Sequence, residues 1–111
     1  MTTIAALLDH LSEGDVVDIA TVARVGATDV RTVTHWREGS SAPGRETEQR
    51  LLELRAVVDL SRRVLRDDAS RVWLRSPNRG LDDRTPLDLV VEGRSESVIA
   101  LLLALAAGVT S

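Results

Sequence analysis

The apolar residues of this chain recur at intervals of three and four, and a glycine or a capping residue closes nearly every such run. That spacing lines one face of a helix with 3.6 residues per turn, and no stretch alternates apolar and polar residues as a half-buried strand would. The chain is therefore expected to be all-α. Its core must be aliphatic, because Trp36 and Trp73 are the only aromatics among 111 residues. A chain of this length has room for one compact domain or for two small units that share a core.

Local signals place the helices. Ile4, Leu7, Leu8 and Leu11 predict a helix over about Thr3 to Leu11, ended by Ser12-Glu13-Gly14. Asp18 offers a carboxylate to orphan amides and predicts a helix through Val25 with Ile19, Val22 and Ala23 inward; Gly26 then supplies a turn. Asp29 predicts the next N-cap, with Val33 and Trp36 inward, Arg31, Thr34, His35 and Arg37 nearer the outside, and Gly39 as the stop. Ser40-Ser41-Ala42-Pro43-Gly44 reads as a linker.

The longest helix follows, from Arg45 to Leu65. Leu51, Leu54, Val58 and Leu65 form a stripe that Val57, Leu60 and Val64 widen, so it should pack against both ends of the protein. Asp67 or Asp68 starts a short helix carrying Val72, Trp73 and Leu74; it must stop before Ser76-Pro77, because the residue ahead of proline is pushed out of helical geometry. A loop spans Ser76 to Arg84. Thr85-Pro86-Leu87-Asp88 is a strong helix start, with Thr as N-cap, Pro in the first turn and an acid at the third position. After Gly93, Ser95 opens a last helix so apolar all round that it is expected to be central to the C-terminal half, with Gly108 ending it. The division expected is 1–44 for the helix-turn-helix region, 45–66 for a connecting helix and 67–111 for a small C-terminal helical domain.

Several functions are argued against by what is missing. With no Cys there is no disulfide framework, thiolate nucleophile or Cys-ligated metal, and His10 and His35 lie on different helices without ligand spacing. No nucleophile elbow, phosphate-cradling glycine loop or HExxH string is present, so an enzyme, a cofactor and a metal are not expected. The apolar run from Val98 to Val109 is short for a bilayer and the N-terminus lacks a basic leader, so a cytoplasmic protein is expected.

The charge is distributed unevenly. The net value of −3 resolves into −3 over residues 1–44, +3 over 45–79 and −3 over 80–111, and all 14 basic residues are Arg. In a helix-turn-helix the second helix enters the major groove, and exposed side chains near its start read base edges. Here Thr32-Val33, Trp36 and Gly39 resemble the string T-V-x-x-W-x-x-G of phage-repressor-like domains. DNA affinity rests mainly on neutralised phosphates, so in this acidic segment any operator contact falls to Arg31, Thr34, His35, Arg37 and Arg45.

A second resemblance covers almost the whole chain. Trp73-Leu74-Arg75-Ser76-Pro77-Asn78-Arg79-Gly80-Leu81, then Thr85-Pro86-Leu87-Asp88-Leu89-Val90-Val91-Glu92-Gly93, then the helix from Val98 to Val109, look like the toxin-binding domain of MbcA/ParS/Xre antitoxins. The resemblance implies an antitoxin with an Xre-like helix-turn-helix, a long connecting helix and a C-terminal toxin-binding domain. It implies a type II antitoxin that neutralises a RES-domain, NAD-degrading toxin by obstructing the active site, with operator DNA as a second partner through autoregulation. The toxin-binding residues expected on this basis are Trp73, Pro77, Asn78, Arg79, Asp82, Asp83, Gly108, Val109, Thr110 and Ser111. A pocket for a dinucleotide pyrophosphate is electropositive and would attract Asp82, Asp83, Asp88, Glu92 or the terminal carboxylate. Exposed apolar surface on the long and last helices should also favour a homo-oligomer beside the toxin–antitoxin complex. The alternative reading is a stand-alone helix-turn-helix transcriptional regulator whose C-terminal half dimerises.

Overall fold

The computed structural model describes residues 3–108; Val109, Thr110 and Ser111 lie outside the described residues. The fold is all-α. Helices run over Ile4–Ser12 (α1), Ile19–Val25 (α2), Val30–Glu38 (α3), Arg45–Val64 (α4), Asp67–Leu74 (α5), Pro86–Val91 (α6) and Ser95–Ala106 (α7), with short 3₁₀ turns at Glu13–Asp15 and Arg79–Leu81.

The N-caps expected at Asp18, Asp29 and Thr85 are made, and α5 and α7 start at Asp67 and Ser95 without a side-chain cap. Thr3, Asp18 and Asp29 accept from the amides of Ala6, Thr21 and Thr32. Thr85 and Asp88 form a reciprocal capping box around Pro86 at the first helical position. Gly39 and Gly93 stop their helices with φ of +80° and +81°, where an L side chain is strained.

The core is one continuous aliphatic cluster running from Leu7 to Leu102. Its axis is α4, whose Leu51, Leu54, Val57 and Val58 are buried and which packs against α1 and α2 on one side and α5, α6 and α7 on the other. The breadth of the apolar stripe thus translates into contact with both ends of the protein, as expected. Trp36 is 4% exposed and its ring lies over the α2–α3 turn: a Cβ added at Gly26 would sit 3.4 Å from Trp36 Cη2.

Two expectations about burial need correction. The last helix is not central: Val98 and Leu102 are buried, but Leu103 is 54% exposed and Leu105 is also exposed. It covers α4, α6 and the Arg79–Leu81 turn, and none of the described residues covers its Leu103 flank. Ile19, read as facing inward, is exposed, because it opens α2 ahead of the part that Val22, Ala23 and Val25 bury. No helix is long and apolar enough to cross a membrane among the described residues.

One buried group is mismatched. Ser70 on α5 is fully buried and its hydroxyl has no hydrogen-bond partner. Because an unsatisfied buried hydroxyl costs of order 1 kcal/mol, Ser70→Ala is expected to raise the melting temperature by several degrees, as read by circular dichroism.

Candidate functional site

The segment between α5 and α6, read from sequence as a loop, is tied together by one residue. Asn78 donates its amide to the Arg84 carbonyl at 3.0 Å, and its own carbonyl accepts from Leu81 and Asp83, both at 2.9 Å. Its side-chain oxygen accepts from the Gly80 amide at 2.9 Å. A side chain at Gly80 would meet both Asn78 Oδ1 and Leu101 at 3.2 Å, so the loop needs its glycine for close approach to α7. Leu81 is buried and anchors the segment to the core.

This knot presents charge outward. Asp82 and Asp83 follow with φ of +55° and +63°, a left-handed geometry that aspartate tolerates better than most residues. Both are exposed, and neither pairs with a cation among the described residues. Two other acids of this block are engaged internally: Asp88 pairs with Arg24 and caps α6, and Glu92 pairs with Arg84, while Glu96 is exposed in the first turn of α7. Pro77 and Arg79 are exposed on the same loop, whereas the backbone groups and the side-chain oxygen of Asn78 are spent on building it. Gly108 is exposed at the end of α7, with φ of +77°.

Trp73 is half-buried. With Leu65, Asp68, Ala69, Val72 and Ser76 it lines an open groove of about 500 Å³ along α5. The sequence reading singled out Trp73 but missed its neighbours; the apolar Val72, one position away on a short helix with Leu74 buried, was the available signal.

The helix-turn-helix region is formed by α2, the turn at Gly26 and α3. Of its expected DNA-reading residues, Arg31, His35 and Arg45 are exposed. Thr34 returns its hydroxyl to the Val30 carbonyl at 3.0 Å, and Arg37 lies 3.5 Å from Asp9 on α1. Arg31 and Arg45 are the two of these arginines without a carboxylate partner among the described residues.

Arginines also fasten the two halves to each other, which no local pattern announced. Arg24 on α2 pairs with Asp88 on α6. Arg71 donates to the Asp15 carbonyl at 2.8 Å, and Arg75 donates to the Val16 carbonyl at 3.0 Å and to Thr21 Oγ1 at 3.3 Å.

Three of the carboxylates in these arrangements have depressed pKa values. The Arg24 guanidinium and then the Thr85 hydrogen bonds hold Asp88 below the usual carboxylate range; the Thr21 hydroxyl and amide do so for Asp18, and the Thr32 amide for Asp29. A carboxyl depressed in the folded state stabilises fully above its unfolded pKa, and that contribution is lost as pH falls through the folded value. These three should therefore destabilise the fold progressively below about pH 4. A melting series from pH 6 to pH 3 checks this, and Asp88→Asn should flatten the acid limb.

The class that the fold and these surfaces define is an all-α helix-turn-helix protein with a second helical unit built on the same long helix. Residues 52–108 match the family described as the antitoxin Xre/MbcA/ParS C-terminal toxin-binding domain. The chain is 42% identical over 102 residues to the mycobacterial cidal antitoxin MbcA of Mycobacterium tuberculosis and of Mycobacterium bovis, covering 92% of this chain and 82% of MbcA. It is 38% identical over 82 residues to a second M. tuberculosis protein named as a probable mycobacterial cidal antitoxin, covering 74% of this chain and 67% of that one. The crystal structure of the M. tuberculosis MbcT–MbcA toxin–antitoxin complex contains a chain that superposes with a TM-score of 0.81 at 36% identity, over 98% of this chain and 95% of that one. This chain belongs to the Xre/MbcA/ParS antitoxin family.

Proposed function

We propose that this chain is the antitoxin of a type II toxin–antitoxin pair and neutralises a RES-domain, NAD-degrading toxin by obstructing its active site. The observation that carries the reading is the exposed pair Asp82 and Asp83, without a cation partner among the described residues, on a loop that Asn78 holds in shape. A pocket that takes a dinucleotide pyrophosphate is electropositive, and two carboxylates fixed in adjacent left-handed turns suit it at little ordering cost. Pro77 and Arg79 flank the pair, Trp73 lies just before it on α5, and Gly108, Val109, Thr110 and Ser111 supply the second segment directed at the toxin. Support for a toxin partner comes from the relatives, which are named as antitoxins, and from the solved complex of MbcA with MbcT. The chemistry belongs to the toxin, and this chain acts without a cofactor.

The division of labour proposed is 1–44 for the helix-turn-helix, 45–66 for the connecting helix and 67–111 for toxin binding. Operator DNA is the second partner, for autoregulation in the cytoplasm. Arg31 and Arg45 would neutralise phosphates, with His35, Thr34 and Arg37 on the same helix or beside it. Two copies would be brought to an operator by self-association, for which Leu103, Leu105 and Leu52 leave apolar surface exposed.

Co-expression tests the reading. The toxin alone should arrest growth and deplete NAD, and this chain should restore both. Asp82→Asn with Asp83→Asn, or removal of Gly108–Ser111, should reduce rescue by about tenfold or more while leaving the melting temperature unchanged, since neither acid makes a folded-state ion pair. Undiminished rescue would remove the acidic loop from the mechanism. If growth were not restored while promoter DNA bound with a steep salt dependence, the stand-alone regulator would replace this proposal.

A further inference from the structure

The side of α4 that turns away from the core carries an inference that deepens the self-association invoked above and can be tested without the toxin. Glu48, Leu52, Ala56 and Arg63 are all exposed, and at 3.6 residues per turn they share an arc of about 80°. Leu52 is 37% exposed, and the half-buried Leu60 stands one turn beyond Ala56 as Leu52 stands one turn before it. Within the chain Arg50 is answered by Glu53, Arg55 by Asp59 and Arg62 by Asp67. Glu48 and Arg63 have no ionic partner among the described residues, and neither do Arg45 and Glu46 in the first turn. Counted along the helix axis, Glu48 lies about 12 Å before Ala56 and Arg63 about 10 Å after it.

We propose that two copies of the chain pair along this ridge, with their α4 helices antiparallel and a twofold axis passing by Ala56. In that register Glu48 of one copy meets Arg63 of the other, and the twofold repeats the contact on the far side of the axis. Leu52 meets Leu60, and the small side chain of Ala56 lets the helices approach closely where they cross. Self-complementarity selects this occupant. Opposite, unanswered charges at matching distances on either side of a small residue are what an isologous interface needs, and a foreign surface has no reason to require them. A parallel pairing would set Glu48 against Glu48 and Arg63 against Arg63, so charge also fixes the direction. A nucleic acid backbone on this ridge would meet Glu46 and Glu48 in the first turn. A twofold pairing has the symmetry with which two helix-turn-helix units meet inverted half-sites.

The chain has no cysteine, so a single introduced thiol reports the pairing directly. In the full chain without toxin, Ala56→Cys should form a disulfide-linked dimer in an oxidising glutathione buffer. Leu52→Cys should do so about tenfold more slowly, because the two copies of that position lie about 12 Å apart along the axis and a disulfide needs Cα atoms within about 7 Å. Sedimentation equilibrium of the cysteine-free chain should show a monomer–dimer equilibrium. Glu48→Arg and Arg63→Glu should each weaken it about tenfold, and the two substitutions in one chain should restore it. A loss caused by unfolding would deepen in that double variant instead of reversing. Equal cross-linking at positions 52 and 56, or a dimer indifferent to the single charge reversals, overturns the proposed register. A wild-type chain that stays monomeric overturns the pairing altogether. If Glu48→Arg weakens toxin binding and leaves self-association unchanged, the ridge belongs to the toxin; the proposal then fails, while the antitoxin reading still stands on the Asp82 and Asp83 variants.

Discussion

Replacing Leu54 by alanine should lower the stability of the chain by about 2–5 kcal/mol and its melting temperature by roughly 10–20 °C. Leu54 is fully buried at the middle of α4, the helix that packs against α1 and α2 as well as against α6 and α7. The deletion leaves a cavity that neither side can fill without leaving the other, so little relaxation is available to reduce the cost. The readout that distinguishes this site from an ordinary core position is the pair of tryptophans. Trp36 reports the helix-turn-helix and Trp73 the C-terminal helices, and their unfolding curves should move down together. If the Trp73 transition stayed in place while the Trp36 transition fell, α4 would not unite the two halves.

Trp36→Ala should cost about 3–5 kcal/mol, which is a large part of the 5–15 kcal/mol typical of a domain. Its buried ring lies under the α2–α3 turn, where a Cβ at Gly26 would touch it at 3.4 Å, and so it braces α3 against the turn. Because α3 carries Arg31 and His35, the same substitution should abolish any operator binding at temperatures where far-ultraviolet dichroism still shows a folded majority. Trp73→Ala offers the comparison: with its ring half outside the core, it should cost well under half as much in stability.

Much of the fold was legible because helix ends are written locally. Asp18, Asp29 and Thr85 were read as caps from three- or four-residue strings, and each side chain accepts the amide expected of it. The stops at Gly39 and Gly93 are likewise single-residue properties of the left-handed region. What escaped is what a short window does not contain. The fastening of Arg75 to Val16 and of Arg24 to Asp88 joins residues about sixty positions apart, and nothing near either partner marks it. The last helix was misjudged for a different reason. A sequence tells which side chains favour burial, not whether the fold has matter to bury them, and the exposed flank of Leu103 and Leu105 is apolar surface that this chain alone leaves uncovered.

The candidate site shows the same division. Residues Trp73 to Leu81 were picked out as a string, and they do form one continuous feature from α5 into the following loop. The string alone does not separate the residue that shapes the loop, Asn78, from those it displays, Asp82 and Asp83, since that depends on where three backbone hydrogen bonds of Asn78 and one to its side-chain oxygen close. Nor does it show that Asp88 and Glu92 are neutralised by Arg24 and Arg84, which leaves Asp82 and Asp83 as the acids of the loop without a cation partner among the described residues.

The position of α4 bears on how hybrids of such proteins can be made. The stretch that matches the toxin-binding family starts at residue 52, inside this helix, so the natural-looking seam at Ser40–Gly44 is a seam in the chain and not in the packing. Grafting a foreign helix-turn-helix at that linker would bring an α1 and α2 shaped for another stripe against Leu51, Leu54 and Val58. Exchange of operator specificity between relatives should therefore succeed only when the inward residues of α1, α2 and the first half of α4 travel as one cassette, while replacing the outward residues of α3 alone leaves every buried contact in place.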